Sequence, residues 1–134
     1  MSDKDRRGCC YDLAAKYVLD HAGDESLRLC HGWPVLQGDD EYAGQRYGHA
    51  WVERTTTHRL PFENRVHEVE ISDCWDTVTG DWWPMALYYK AGNIDESHVA
   101  KYSFAEMRDM LLTTKEYGPW VESSYAETAP FHND

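Results

Sequence analysis

The chain has no long apolar segment and comparatively few basic residues. Among its 134 residues, no run approaches the roughly 20 consecutive apolar positions that a membrane-spanning helix needs. Lys and Arg number 13 against 24 Asp and Glu, which gives a formal net charge of -11. Nucleic-acid backbones are bound by clustered cations, so this balance argues against such a partner. The sequence therefore predicts no membrane insertion and no nucleic-acid binding.

Several common catalytic and metal-binding signatures are also missing. The chain has no Cys-x-x-Cys pair, no His-Glu-x-x-His helix, no glycine-rich phosphate loop and no Gly-x-Ser-x-Gly elbow. We therefore predict no cofactor and no metal. The one metal-site alternative is a zinc site without any supporting ligand spacing, built from Cys30, His31, His67 and Cys74.

The cysteines indicate a reducing environment. No apolar signal core follows the charged residues 1–7, and the adjacent pair Cys9 and Cys10 is a poor candidate for a disulfide. We expect reduced thiols and a cytoplasmic location. With those signatures missing, the candidates for catalytic groups are cysteine and histidine side chains.

Hydrophobic periodicity predicts a single α+β domain over residues 1–134, with a mobile tail at 121–134. The expected elements are a helix at 9–22, a strand at 27–36, hairpin strands at 47–54 and 66–71, a short helix at 84–91, and a last helix from Ser103 to Gly118. The hairpin turn is expected at 60–64. The first helix is expected to pack through one stripe of residues: Cys10, Leu13, Ala14, Tyr17, Val18 and His21.

Cys10 is the candidate nucleophile. It lies in the first turn of the predicted helix, where free backbone N–H groups and the helix dipole stabilise a thiolate. Cys9 falls on the opposite, solvated face. The base has to come from elsewhere, because His21 would lie roughly 16 Å along the helix axis.

His49 is the candidate base, because it opens a strand and follows Gly48, where another group can approach closely. Two acids, Asp73 and Asp76, follow the second hairpin strand. A tight turn between Phe62 and Glu63 would place Asp76 directly opposite His49. We therefore predict Asp76 as the acid that orients the imidazole, with Asp73 in reserve.

The order of helix cysteine, strand histidine and next-strand acid resembles the papain-like superfamily, especially its compact NlpC/P60-type and transglutaminase-like cysteine enzymes. The resemblance rests on Cys10 to Ala15, Gly48 to Glu53, and Asp76 with Thr77. The chain is also similar to small proteins of bacteria and their viruses in a set of short motifs: Cys10-Tyr11, His31-Gly32, Tyr88-Tyr89 and Tyr117 to Trp120.

This resemblance implies an N-terminal helix packed on a small antiparallel sheet, with a further C-terminal helix. It implies a Cys10, His49, Asp76 triad that transfers an acyl group from a protein, peptide or small amide or thioester, by hydrolysis or transamidation. Tyr11 stands where papain-like peptidases often carry Trp, so peptidase activity is not implied. Four residues are expected near the substrate or as support: Tyr11, His31, Trp51 and Asp73.

The alternative is an inactive scaffold that binds a basic protein partner through acidic and aromatic residues. The acidic loop at 39–41 would supply the charge. The aromatic part of such a face would be Trp75, Trp82, Trp83, Tyr88 and Tyr89, although these residues are also typical of a core and its rim. The sequence leaves the oligomeric state open.

Overall fold

The computed structural model describes residues 10–35 and 44–120. The predicted tail at 121–134, the acidic loop at 39–41 and Cys9 lie outside these ranges. The described part holds three helices and five strands: α1 (Cys10–Asp20), β1 (Leu27–Gly32), β2 (His49–Phe62), β3 (Arg65–Trp75), β4 (Trp82–Pro84), α2 (Met85–Ala91), β5 (Ala100–Tyr102) and α3 (Phe104–Thr114), with a 3-10 turn at Glu96–His98.

All neighbouring strands are antiparallel, in the order β4-β3-β2-β1-β5. One face of this sheet packs against α1 and α3 through a cluster that includes Cys10, Ala50 and Met107. The other face packs against α2 through a second cluster that includes Trp51 and Tyr89. The chain thus has the α+β fold that the sequence predicts, with helices on both faces of one sheet.

Helix α1 presents part of the predicted stripe to the sheet, but Leu13 is only half-buried, and Ala15, outside the stripe, is completely buried. Cys10, Ala14 and Val18 are buried, whereas His21 is exposed. The prediction for His21 was wrong because α1 ends at Asp20, two residues before the predicted end. The ring of His21 instead turns back, with Nδ1 2.7 Å from the Tyr17 carbonyl oxygen. No helix in the described residues combines the length and the apolar character needed to cross a bilayer.

The central hairpin is longer than predicted, and its register differs. Strands β2 and β3 pair without interruption up to Phe62 and Arg65, around a two-residue turn at Glu63 and Asn64. Both turn residues have positive φ, 52° and 62°, as in the tight turns whose twist suits hairpins. The expected pairing of Ala50 with Trp75 was wrong, because the turn is centred one residue later.

Element ends follow local chemistry. Helix α3 begins at the predicted capping box, in which Ser103 and Glu106 bond each other's backbone N–H groups. It ends at Thr114, before the predicted stop at Gly118, because Lys115 adopts the left-handed conformation. Strand β1 also ends early, at Gly32. A Cβ on that glycine would lie 2.5 Å from Cη2 of Trp51.

Candidate functional site

Cys10 lies where the sequence predicts it, as the first residue of α1. Its side chain is 5% exposed and belongs to the cluster between α1 and the sheet. At a helix start the backbone N–H groups have no acceptors within the helix, and the dipole presents its positive end. The thiol therefore lies at the end of α1 where unpaired backbone N–H groups are found.

His49 opens β2 and is buried, at 5% exposure. The preceding glycine is needed for close packing. A Cβ on Gly48 would lie 2.6 Å from the Tyr11 hydroxyl oxygen and 2.9 Å from Cζ3 of Trp33. The close approach expected at Gly48 is therefore made by Tyr11 and Trp33, which fix the chain just before His49.

Asp76 lies one residue beyond β3, diagonal to His49. The predicted direct pairing of these two residues was wrong, because Val52 pairs with Trp75 and the register places Trp51 opposite Asp76. The shift is two residues, so Asp76 and His49 still share a face of the sheet. Asp76 Oδ1 lies 3.7 Å from His49 Nε2.

The hydroxyl of Tyr88, on α2, lies between these two groups. It donates a hydrogen bond to Asp76 Oδ1 at 2.9 Å and lies 3.2 Å from His49 Nε2. The second carboxylate oxygen, Oδ2, accepts from the backbone N–H of Thr79 at 3.0 Å. Asp76 is therefore held from two sides, and His49 Nε2 faces both Asp76 and Tyr88.

The electrostatics of His49 and Asp76 are coupled. Burial lowers the pKa of His49, but its contacts with Asp76 and Cys10 outweigh burial and raise the pKa to about 9. Burial raises the pKa of Asp76, but hydrogen bonds from His49, Thr79 and Tyr88 outweigh it and hold that pKa well below its ordinary value. The arrangement favours an imidazolium beside a carboxylate.

Asp73, the reserve acid, lies elsewhere. It pairs with Arg54 across the hairpin, with 3.8 Å between Arg54 Nη2 and Asp73 Oδ2. Arg54 also lies over the ring of Trp82, 4.1 Å from its centroid. Asp73 therefore belongs to the hairpin, and Asp76 is the acid that the structure brings to His49.

Tyr11 and His31 pack against each other beside Cys10, with ring centroids 4.8 Å apart. Burial, together with the negative charge that Cys10 and Tyr102 would carry, raises the pKa of the Tyr11 hydroxyl above its ordinary value. Burial lowers the pKa of His31 to about 4, so this ring is neutral near pH 7. Neither ring nitrogen of His31 has a hydrogen-bond partner among the described residues. Trp120 covers the ring, with centroids 4.9 Å apart.

Trp51, the remaining predicted support residue, is completely buried. Its ring lies 6.0 Å from that of His49, centroid to centroid, and is nearly parallel to it. Trp51 can therefore hold His49 in place but presents no surface to a substrate.

A second polar cluster lies on the same sheet face, centred on the buried carboxylate of Glu53. Tyr89 donates to Glu53 Oε2 and Lys101 to Oε1, each at 2.9 Å, and the thiol of Cys30 lies 3.8 Å from Oε2. Burial raises the pKa values of Cys30 and Cys74, which keeps both thiols protonated. Cys10, by contrast, interacts with His49.

The zinc alternative finds no support in the geometry. Cys30 and Cys74 lie on the sheet face that carries Glu53, His31 lies with Tyr11 and Tyr102 on the face covered by α1, and His67 lies far along the hairpin. Over residues 10–35 and 44–120, no group of three or more His, Cys, Asp or Glu side chains is arranged to hold a metal ion.

Tyr88 is the site residue that the sequence reasoning missed. The sequence groups Tyr88 and Tyr89 in one aromatic face, but on α2 Tyr88 is half-buried, Tyr89 is buried, and the two hydroxyls reach different carboxylates. Trp75 and Trp82 pack against Tyr17, so only Trp83 of that aromatic set is substantially exposed. The Tyr-Tyr pair was a visible signal, but its role depends on how α2 docks on the sheet.

Comparison with known proteins gives no relative from which a function could be transferred. No family profile matches the chain, and no curated protein or solved structure matches it significantly. Its chemistry has to be argued from the arrangement around Cys10, His49 and Asp76.

Proposed function

We propose that the protein is a cysteine-dependent acyl-transfer enzyme in which Cys10 is the nucleophile, His49 the general base and Asp76 the orienting acid. One observation carries the proposal. A single buried imidazole interacts with a helix-start thiol and with a carboxylate. This is the relation among nucleophile, base and orienting group that covalent catalysis requires.

The orientation of the imidazole assigns its two nitrogens. Nε2 faces Asp76 and Tyr88, at 3.7 and 3.2 Å. This leaves Nδ1 to receive the thiol proton from Cys10. A carboxylate at Nε2 fixes the tautomer of the neutral ring and stabilises the imidazolium that forms when the proton arrives.

The reaction then has two halves. The Cys10 sulfur bonds to the acyl carbon of an amide or thioester, and the proton held by His49 passes to the departing amine or thiol. Water or an amine next attacks the acyl-enzyme, gives its proton to His49 and releases the sulfur, which regains a proton. Water as the acceptor gives hydrolysis, and an amine gives transamidation.

Backbone amides at the start of α1 are suited to stabilise the oxyanion formed in each half. The first turn of a helix has N–H groups without helical acceptors. A protein, peptide or small amide or thioester supplies the acyl group. The proposal extends to a papain-like arrangement of the fold, related to the NlpC/P60-type and transglutaminase-like enzymes, working in the reducing cytoplasm, where a free thiolate persists.

The decisive experiment measures alkylation of each thiol by iodoacetamide at neutral pH, in a Cys9→Ser background, with mass spectrometry of the separate peptides. Cys30 and Cys74 are internal controls. We expect Cys10 to react at least tenfold faster than an ordinary exposed thiol, and His49→Ala to abolish that advantage. Reaction of Cys10 no faster than a free cysteine would contradict the proposal.

The same variants test the reaction itself. A panel of amide and thioester substrates, assayed with and without a primary amine, should reveal an activity that Cys10→Ala removes and Cys74→Ala keeps. Product analysis then separates hydrolysis from transamidation. An activity that survives in Cys10→Ala would have to come from another group.

A non-catalytic binding module is the second candidate, and one observation favours it. Cys10 and His49 are each only 5% exposed, so a substrate reaches the thiol only after neighbouring side chains move. The binding module predicts no Cys10 advantage in alkylation. It also predicts a complex with a basic protein that weakens as salt is raised.

A further inference from the structure

The hairpin continues well beyond the rest of the sheet. Strand β1 pairs with β2 only up to Arg54, and β4 pairs with β3 only from Asp73. Residues 55–62 and 65–72, here called the arm, therefore have only each other as strand partners among the described residues, although the Thr55 N–H at the base also donates to the Ser26 carbonyl at 3.2 Å. Every residue from 57 to 71 is exposed. Five of the exposed residues are large and apolar: Leu60, Phe62, Val66, Val69 and Ile71.

These apolar residues are distributed unevenly over the two faces of the arm. Side chains alternate along a strand, so the observed register assigns each to a face. One face is shared by eight residues: Thr55, Thr57, Arg59, Pro61, Val66, Glu68, Glu70 and Ser72. The other, here called the apolar face, comprises Thr56, His58, Leu60, Phe62, Arg65, His67, Val69 and Ile71. It carries no carboxylate, in a chain whose net charge is -11.

An uncovered arm of this kind is physically unfavourable. A two-stranded ribbon is at best marginally stable in water without further packing. Phe62 is 65% exposed and Leu60 49% exposed, on one contiguous face. Contiguous exposed apolar side chains mark interaction surfaces. The order of charged and apolar side chains along the apolar face indicates what covers it.

The two ends of the apolar face carry opposite charges, and its middle carries Val69. The cross-strand pairs run Arg54/Asp73, Thr56/Ile71, His58/Val69, Leu60/His67 and Phe62/Arg65. The only acid, Asp73, lies at the base level, and Arg65 lies at the tip. When a second arm is laid face to face in the opposite direction, each Arg65 lies over the partner's Asp73 and each Val69 over the partner's Val69.

We propose that two copies of this chain associate through the apolar faces of their arms, packed antiparallel about a two-fold axis that passes beside Val69. The two copies then bury the same patch, as two-fold symmetry requires. This association does not depend on the function proposed for Cys10.

The position of α1 favours this direction. Helix α1 covers the same sheet face at the base of the arm, where Val52 belongs to its core cluster. Two arms packed base to base would force the two α1 helices into each other. In the antiparallel arrangement the tip of each arm ends at the partner's α1. Asp24 there interacts with Arg54 and adds a second negative charge near the partner's Arg65.

The size of the arm sets the strength of the association. Eight residues per strand give a length of roughly 26 Å, and two strands about 4.8 Å apart make a narrow surface. Such a contact is smaller than the roughly 800 Å² per partner of a standard stable interface. We therefore expect a reversible dimer whose population changes over micromolar to millimolar protein concentration.

Sedimentation equilibrium across that concentration range tests the proposal. We expect the wild-type chain to dimerise and Val69→Asp to weaken the association at least tenfold, because it places two carboxylates against each other at the axis. The matched control is Val66→Asp, which adds the same charge at an exposed position on the opposite face and should dimerise as the wild type does. Circular dichroism verifies that both variants fold.

Charge reversal tests the direction of packing. Arg65→Asp and Asp73→Arg should each weaken the dimer, and the double variant should recover most of the wild-type association. A chain that stays monomeric at millimolar concentration overturns the proposal and leaves the apolar face to a different protein. A dimer that Val69→Asp and Val66→Asp affect equally also overturns it.

Discussion

The hydroxyl of Tyr88 donates a hydrogen bond of 2.9 Å to Oδ1 of Asp76. It also lies nearer to Nε2 of His49, at 3.2 Å, than the Asp76 oxygen does, at 3.7 Å. A hydroxyl donates and accepts at once, so Tyr88 can accept from the imidazole while donating to the carboxylate. Tyr88 therefore links the acid and the base in the observed geometry and acts as a positioning residue.

Tyr88→Phe should weaken this link without emptying the space that the ring fills. We expect the rate of Cys10 alkylation to fall severalfold and the free energy of unfolding to fall by about 1–2 kcal/mol, as for loss of a hydrogen bond to a charged group. The matched control is Tyr89→Phe, which removes the equivalent bond to Glu53. It should cost similar stability and leave alkylation unchanged. Equal effects on alkylation would show that Tyr88 is merely structural.

The two candidate acids can be separated by their effects on His49. The contact with Asp76 helps to raise the pKa of His49 to about 9, whereas Asp73 pairs with Arg54. Asp76→Asn should therefore lower the His49 pKa measurably in an NMR titration of the imidazole and slow alkylation of Cys10. Asp73→Asn should change neither. If Asp73→Asn shifted the titration as much as Asp76→Asn, the assignment of the orienting acid would be wrong.

Stability should depend on pH through His49. Its pKa in the folded protein, about 9, exceeds the ordinary value of 6.5, so the folded state binds this proton more tightly than the unfolded state does. The resulting stabilisation is complete below pH 6.5 and is lost as the pH rises through 9. We expect the free energy of unfolding to fall by roughly 1 kcal/mol per pH unit across this window. The measurement is urea unfolding at several pH values.

His49→Gln is the control for this pH dependence. It removes the titrating group, so the fall between pH 6.5 and 9 should shrink to what the other side chains contribute. If the free energy of unfolding fell equally steeply with pH in the wild type and in His49→Gln, the pKa of His49 would not be raised on folding.

The sequence was most informative where one face of an element is buried. The buried positions Cys10, Ala14 and Val18 of α1 and the Ser103 capping box depend on local periodicity and hydrogen bonding, and the structure confirms them. Parity along the hairpin also placed His49 and Asp76 on one face, because a slip of one residue would expose the core residues Ala50 and Val52.

The arm was missed for the same physical reason. Neither of its faces is packed against another described element, and residues 55–62 show no clear alternation of apolar and polar side chains. Pro61 indicates a turn in the sequence but lies inside β2, opposite Val66. Beyond Arg54 no second described strand pairs with β2, so the N–H that proline lacks is not needed there. The actual turn uses Glu63 and Asn64 at positive φ. The register of the hairpin could not be predicted, because Glu is not typical of the first position of such a turn and does not mark it in the sequence.

Breaking the ion pair between the buried Glu53 and the partly exposed Lys101 should cost far more stability than breaking the neighbouring pair between Arg54 and Asp73. Glu53 is 4% exposed and keeps two further partners, so Lys101→Met leaves a buried carboxylate without its cation and should cost about 3 kcal/mol. Arg54 and Asp73 are partly solvated, and Asp73→Asn should cost under about 1 kcal/mol. Urea unfolding of both variants makes the comparison. Equal losses would mean that water reaches Glu53, and the second polar cluster would then be as open as the surface pair beside it.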